Sequence, residues 1–204
     1  MFLQYCDNEH KTSMISSFFF IGAFLGLQTA TTMFDMIGRK RTTLFAIMIS
    51  IGSTLGMAFV QTPTQLIVVR VIQGFGVFIQ VTGLYVWGLE YTPSRLRNAG
   101  SVIGGSHWTF GMLTSTLVSY LTVEWRHNAM IVSAITLVLM TPLLFLPESP
   151  RFNLIKGKED EAKRTLQTYS RIFNKPISFE KVTLVFEDHQ QSYLEQLKDF
   201  LKYK

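Results

Sequence analysis

The chain has 204 residues, of which 48% are hydrophobic and only 16% are charged. That charged share lies well below the quarter that is typical of soluble domains. The charges are also unevenly placed, because region 147–204 holds eleven Lys/Arg and nine Asp/Glu while the longer region 12–146 holds seven and three. This composition disfavours a cytosolic enzyme, a nucleic-acid-binding protein and a secreted domain held by disulfides.

The single cysteine, Cys6, excludes an internal disulfide and a paired-cysteine metal site. The net charge of +5 comes largely from basic residues beside apolar segments, where they orient membrane proteins, so we expect no nucleic-acid partner. The sequence has no G-x-S-x-G, HExxH or Walker loop. We therefore expect neither an enzyme nor an ATP-driven pump, and no cofactor or metal ion.

Five uncharged runs follow one another along the chain, and each is long enough to cross a bilayer as a helix of roughly 20 residues. The second and third runs are separated by the polar, proline-bearing sequence QTPTQ at 61–65. Glycines spaced four apart, such as Gly22 and Gly26, favour close helix packing. A soluble helical core would have to bury all five runs on every side. We predict spans at about 12–34, 42–60, 66–88, 98–122 and 127–146.

The basic residues predict the orientation, because Lys and Arg mark the cytoplasmic side of a membrane protein. The connectors near 39–41 and 95–97 and the start of the tail at 151–158 are basic, whereas QTPTQ has no basic residue and VEWRHN has one. We therefore expect the segment 1–11 outside and the segment 147–204 in the cytosol. The expected location is a multi-pass position in the plasma membrane.

The tail has the pattern of short amphipathic helices. Its apolar residues are spaced for one helical face in two stretches, namely Ala162, Leu166, Tyr169 and Phe173, and then Leu194, Leu197 and Leu201. We expect these helices to dock on the membrane bundle rather than to form a separate domain.

Three motifs carry the strongest signal: DMIGRKR at 35–41, RVIQG at 70–74 with Glu90 and Arg97 after it, and PESPR at 147–151. In this order they resemble the major facilitator superfamily, in particular its organic cation and anion transporters, which are related to the sugar porters. The resemblance runs from about 14 to 162. It implies an all-α membrane protein, a partial helical bundle that corresponds to helices two to six of twelve, with short cytosolic helices after it. The first helix and the second half of such a transporter lie outside this correspondence.

The resemblance also implies a charge network that clasps the cytosolic helix ends while the pore is open outward, and that breaks when the pore opens inward. Its members here are Asp35, Arg39, Glu90, Arg97, Glu148 and Arg151. The alternative is that the basic residues only orient the chain, which accounts for Lys40 and Arg41 but not for the three acids. Arg70, at the opposite end of its span, is either an interfacial arginine or a gate that pairs with an acid on another helix.

Candidate substrate contacts lie midway along two spans and offer an amide, an imidazole and aromatic rings to an organic ion. They are Gln80, Tyr85, His107 and Trp108, and for each of them ordinary helix packing is an equal alternative. Trp108 is favoured because an aromatic residue is common at its counterpart in the family. Thr31, Val81 and Phe152 depart from the family pattern, so the sequence does not fix the substrate.

The motifs and the resemblance leave two alternative functions. The first is transmembrane transport of small organic ions or solutes by a secondary transporter with alternating access, of which this chain is an incomplete portion. The expected partners are then the lipid bilayer, the solute and the rest of the transporter. The second is a non-transporting five-span protein that binds or regulates a full-length relative.

Overall fold

The computed structural model describes residues 9–92 and 97–173, and all regular structure in these ranges is helical. The predicted all-α class is therefore confirmed. The chain divides into two compact units, Met1–Phe152 and Asn153–Lys204. The helices are α1 (Glu9–Met36), α2 (Arg39–Met57), α3 (Pro63–Tyr91), α4 (Arg97–Leu121), α5 (Trp125–Met140), α6 (Pro150–Ile155) and α7 (Glu159–Phe173), with a 3₁₀ turn at Thr141–Leu144.

Helices α1 and α3 run parallel and in close contact. Gly22 lies against Val71 and Gly26 against Phe75, so the two contacts repeat at the same spacing along both helices. A Cβ atom at Gly22 would overlap the carbonyl oxygen of Val71. The small residues predicted to favour packing are thus the residues that let these two backbones meet.

Helix α2 runs antiparallel to α3 on another side of it. Gly76 lies against Ile49 and Ser50, and Gly83 lies against the side chains of Thr43 and Phe34. The apolar core sits where α1, α2 and α3 meet, and its buried residues are Ala30, Phe34, Ala46 and Ile79. Helix α5 packs on α2. The centre of the first unit is therefore a three-helix contact built on alanine and glycine.

The turn between α2 and α3 has the form that QTPTQ predicts. Thr62 Oγ1 accepts a hydrogen bond from Gln65 N at 3.3 Å, and Gln65 Oε1 accepts one from Thr62 N at 3.2 Å, which makes a capping box with Pro63 in the first turn. Arg126 Nη2 donates to the carbonyl of Val60 at 2.9 Å. The arginine in the VEWRHN connector thus holds the end of α2 to the start of α5.

Three helical segments are long and apolar enough to cross a membrane by length and composition alone: Ser13–Met36, Pro63–Glu90 and Trp125–Leu144. Helices α2 and α4 contain more Ser, Thr and Gly and are not among these three segments, so the prediction that they also cross a membrane stays a prediction. Their hydroxyls are satisfied within the helix, as where Thr116 Oγ1 donates to Met112 O at 2.9 Å. The surface is apolar, with Phe20, Met48 and Phe110 each more than 60% exposed, as lipid contact requires.

In the second unit, α7 covers the first predicted amphipathic stretch. Its first turn carries Glu159, Asp160 and Glu161 and its last turn carries Arg171, so the charges complement the helix dipole. Gly157, at φ +70°, ends α6 with hydrogen bonds from Gly157 N to Leu154 O and from Lys158 N to Asn153 O. The second amphipathic stretch lies outside the described residues.

Candidate functional site

The connection between α1 and α2 consists of Ile37 and Gly38 only. Gly38 has φ +112°, in the region where other residues are strained. A Cβ atom there would lie 2.6 Å from Glu148 Oε2 and 3.2 Å from Phe152 Cε1. Both the backbone conformation and the available space therefore require glycine. The segment after α5, which contains Glu148 and Phe152, packs closely against this turn.

Arg39, the first residue of α2, is the centre of the contacts at this end. Its Nη2 lies 3.3 Å from Asp35 Oδ1, its Nε lies 3.3 Å from Glu90 Oε1, and its Nη1 donates to Phe34 O at 3.2 Å. Its guanidinium carbon lies 5.2 Å from the centroid of the Phe152 ring. We call Asp35, Arg39, Glu90, Glu148 and Phe152 the Arg39 cluster.

The two ion pairs of Arg39 have different surroundings. The side chains of Arg39 and Glu90 are each 10% exposed, whereas that of Asp35 is 73% exposed. Water screens the pair with Asp35, so that contact contributes little. The pair with Glu90 is held away from water, where removing either charge leaves the other one uncompensated. The buried pair is therefore the sensitive part of the cluster.

Glu90 is only partly satisfied. The Nε group of Arg39 lies close to it but is not aligned as a hydrogen-bond donor, and within the described part of the chain Glu90 Oε2 is buried without a hydrogen-bond partner. Glu90 also lines a cavity of about 300 Å³ with Val86, Leu89 and Arg151. A buried carboxylate oxygen without a donor is costly. A further hydrogen-bond donor would therefore stabilise Glu90.

Glu148 has a role that the motif alone does not indicate. Its Oε1 accepts hydrogen bonds from Lys40 N at 2.8 Å and from Ser149 N at 3.1 Å. Since Gly38 has no side chain with which to cap α2, Glu148 supplies a carboxylate at that helix N-terminus. Lys40 Nζ donates in return to Leu144 O at 2.9 Å. Glu148 thus joins the end of the membrane region to the α1–α2 connection as a helix cap.

The other predicted network residues are placed differently. Arg151 is exposed and lies at the wall of the small cavity beside Glu90. Arg97 begins α4, and its side chain lies outside the described part of the structure. Arg70 lies on α3, about 30 Å along the helix from Glu90 at 1.5 Å per residue. It is half-buried and donates to Gln73 at 3.2 Å, so it belongs to the opposite end of the bundle.

The candidate substrate residues do not share one environment. Tyr85 is 51% exposed and Trp108 is 60% exposed, whereas Gln80 is 8% exposed. Gln80 and Tyr85 are five positions apart on α3, which turns them about 140° from each other. Gln80 therefore lies on the packed side of α3 and Tyr85 on an open side. His107 is in α4, and its side chain is outside the described part of the structure.

Comparison with known proteins identifies the family. A family model described as "Sugar (and other) transporter" matches residues 3–202. The chain is 29% identical over 163 residues to the putative metabolite transport protein YwtG of Bacillus subtilis, covering 78% of this chain and 36% of the relative. It is 27% identical over 172 residues to solute carrier family 22 member 7 of Bos taurus, covering 84% of this chain and 31% of the relative.

A similar fold is found in the xylose transporter XylE from E. coli, in a partially occluded inward open conformation. The TM-score is 0.76 at 18% identity, covering 87% of this chain and 48% of that chain. XylE is a protein of the major facilitator superfamily. The chain thus spans about a third of the length of the two curated relatives and about half of XylE. Because the family model matches residues 3–202, we conclude that the chain belongs to the sugar (and other) transporter family, and its helical fold is similar to that of XylE.

Proposed function

We propose that the chain supplies five helices of one half of a secondary transporter that moves small organic ions or solutes by alternating access. In such transporters the substrate binds near the middle of the bilayer, between two halves that rock against each other. The observation that carries the proposal is the buried pair of Arg39 and Glu90, which joins the end of α1–α2 to the end of α3. The names of the relatives, which refer to metabolites and to xylose, support a small organic solute.

The Arg39 cluster is the switch in this proposal. It joins helix ends by contacts that are made or broken as a set, because Arg39 cannot leave Glu90 without exposing two charges. Glu90 Oε2 has no hydrogen-bond partner among the described residues, so a second arrangement can satisfy it better. An element with two discrete arrangements is what a change of access requires.

Tyr85 and Trp108 are the proposed substrate contacts. The side chains of both residues are exposed on the surface of the bundle, although each lies within an apolar helix. Their rings can stack on an organic ion or an apolar ring of the solute. Gln80 is proposed as a packing residue instead, because its side chain is buried.

We further propose that the Arg39 cluster faces the cytosol and that the protein is placed in the plasma membrane. The basic residues at 39–41 lie at this end of the bundle, and Lys and Arg concentrate on the cytoplasmic side. Arg126, at the opposite end, donates a hydrogen bond to the carbonyl of Val60, so this basic residue has a structural role there.

The test compares cells that express the complete reading frame containing this chain with cells that express the 204 residues alone. Uptake of a panel of organic cations, organic anions and sugars is measured and corrected for surface expression. Saturable uptake of at least one solute by the complete frame only is the expected result. If neither form transports any solute and the 204-residue protein is isolated with a full-length relative, the alternative function as a regulator replaces this proposal.

A further inference from the structure

Arg70 lies inside the apolar segment Pro63–Glu90, where a charged side chain is costly unless other groups satisfy it. Its Nη1 donates to Gln73 Oε1 at 3.2 Å. Gln73 Nε2 donates to Thr54 Oγ1 on α2 at 3.0 Å, and Thr54 Oγ1 donates to Ser50 O at 2.8 Å. Three hydrogen bonds thus lead from the guanidinium on α3 to a backbone carbonyl on α2.

The direction of this chain of hydrogen bonds is fixed by chemistry. A guanidinium group can only donate, so the Gln73 atom that faces it must be the carbonyl oxygen. The amide nitrogen of Gln73 then points to Thr54, and because it too can only donate, the Thr54 hydroxyl accepts and sends its own hydrogen to Ser50. A reversed amide would put two donors together. The assignment of the amide atoms is therefore settled by the neighbours.

The packing of α2 on α3 places these groups opposite each other. Gly76 brings the backbones together at Ser50, where a Cβ atom would lie 3.0 Å from the Ser50 nitrogen. In antiparallel helices, moving three residues back along α3 corresponds to moving about three residues forward along α2, which brings Gln73 level with the turn that contains Ser53 and Thr54. Gln73 therefore reaches Thr54, and Arg70, three residues before Gln73, lies on the same face of α3.

We propose that Gln73 and Thr54 are positioning residues that fix the orientation of the Arg70 guanidinium from the neighbouring helix. Consecutive hydrogen bonds that share donors and acceptors polarise one another in an apolar environment. Thr54 therefore affects Arg70 without touching it. A shift of α2 along α3 would release Gln73 and with it the arginine, so the position of Arg70 reports the packing of the two helices.

The proposal goes beyond the proposed transport function, and its test does not use transport, so the two can fail separately. The purified chain in detergent is treated with p-hydroxyphenylglyoxal, which modifies guanidinium groups. Modification of Arg70 is followed over time by peptide mass spectrometry, with the exposed Arg41 as an internal reference. The variants are Gln73→Met, Thr54→Val and Thr54→Ser.

We expect Thr54→Val to raise the Arg70 modification rate roughly two- to tenfold, the factor that corresponds to one neutral hydrogen bond. Gln73→Met should raise it by roughly tenfold or more, because it removes a hydrogen bond to the charged guanidinium. Thr54→Ser keeps the hydroxyl and should leave the rate unchanged. The matched control is Thr116→Val on α4, because the Thr116 hydroxyl bonds only within its own helix in the described structure. Combining Thr54→Val with Gln73→Met should add nothing to Gln73→Met alone.

Three results would overturn the proposal. An unchanged rate in Thr54→Val would show that the orientation of Arg70 does not depend on α2. An equal increase in Thr116→Val would show general loosening of the bundle. Additive effects of Thr54→Val and Gln73→Met would show that the two residues act separately. None of these results bears on whether the complete protein transports a solute.

Discussion

Arg39 is the residue at which contacts from three other parts of the membrane region converge. It touches the end of α1 through Asp35 and Phe34, the end of α3 through Glu90, and the chain after α5 through Phe152. Because Arg39 and Glu90 are buried, substitution of one of them leaves the other as an uncompensated charge and lowers stability. Substitution of both by apolar residues leaves no such charge. The pair can therefore be tested by comparing single and double substitutions.

We predict that Arg39→Ala lowers the free energy of unfolding by about 3–5 kcal/mol, because Glu90 then remains buried without a counter-charge. Asp35→Asn should cost at most about 1 kcal/mol, since water already screens that pair. The double variant Arg39→Leu with Glu90→Leu should recover much of the loss. Thermal unfolding of the purified chain in detergent measures all three. Equal losses in Arg39→Ala and Asp35→Asn would contradict the importance of burial.

In the complete transporter, we predict that Arg39→Ala and Glu90→Ala lower the maximal uptake rate more than they change the substrate KM. Loss of the pair destabilises one of the two access states, and a change of about 1.4 kcal/mol already alters their ratio tenfold. Arg39→Lys keeps the charge and should be milder. Uptake kinetics corrected for surface expression decide the matter. Normal maximal rates in both alanine variants would mean that these residues only orient the chain.

The sequence predicted that three charged residues of the cluster lie close together, and their role as a switch stays a prediction. The motifs placed Asp35, Arg39 and Glu90 together, and the structure has both ion pairs of Arg39. The cap that Glu148 provides could not be predicted, because it joins residues 108 positions apart and depends on the course of the whole chain. The hydrogen bond from Gln73 to Thr54 could not be predicted either, because it depends on how α2 packs against α3.

At the scale of helices, the uncharged runs predicted the five long helices α1 to α5. The helices extend a few residues past most of the runs, because a helix does not end where the first charge appears. Helix α2 instead ends at Met57, three residues before the end of its predicted span at 60. Helix α5 ends at Met140 and tightens into a 3₁₀ turn, where the sequence predicts a span to residue 146. Pro142 explains this, since it has no N–H with which to continue the α-helical hydrogen bonds.

We predict that Gly22→Ala destabilises the bundle, whereas Gly52→Ala does not. A Cβ atom at Gly22 would overlap the carbonyl oxygen of Val71, so α1 must move away from α3, while a Cβ atom at Gly52 meets nothing within 4 Å. Alanine in a free helical position is favoured over glycine by up to about 1 kcal/mol. Thermal unfolding of the two variants gives the comparison. A loss of stability in Gly52→Ala as large as in Gly22→Ala would contradict the packing described.

At the scale of the whole molecule, we predict that the N-terminus lies outside the cell and the C-terminus in the cytosol. The basic connectors near 39–41 and 95–97 and the basic start of the tail all lie on one side if five helices cross the membrane. Epitope tags at both ends, detected in intact and in permeabilised cells, test this arrangement. Detection of the C-terminal tag in intact cells would contradict it.

We also predict that the 204-residue polypeptide by itself does not move solutes. It spans 36% and 31% of its two curated relatives, and alternating access needs two halves around the central site. The measurement is uptake by liposomes that contain the purified polypeptide, with liposomes without protein as the control. Saturable uptake would show that several copies rebuild a complete pore.

The cap on α2 has a consequence for the order in which the protein is made. Lys40 and Glu148 are 108 residues apart, and ribosomes add about 5–20 residues per second. Glu148, which caps the first turn of α2, is therefore synthesised roughly 5–20 s after that turn. During that interval Arg39 also lacks the ring of Phe152. A nascent chain that stalls before PESPR therefore lacks both the carboxylate that caps α2 and the ring that covers Arg39.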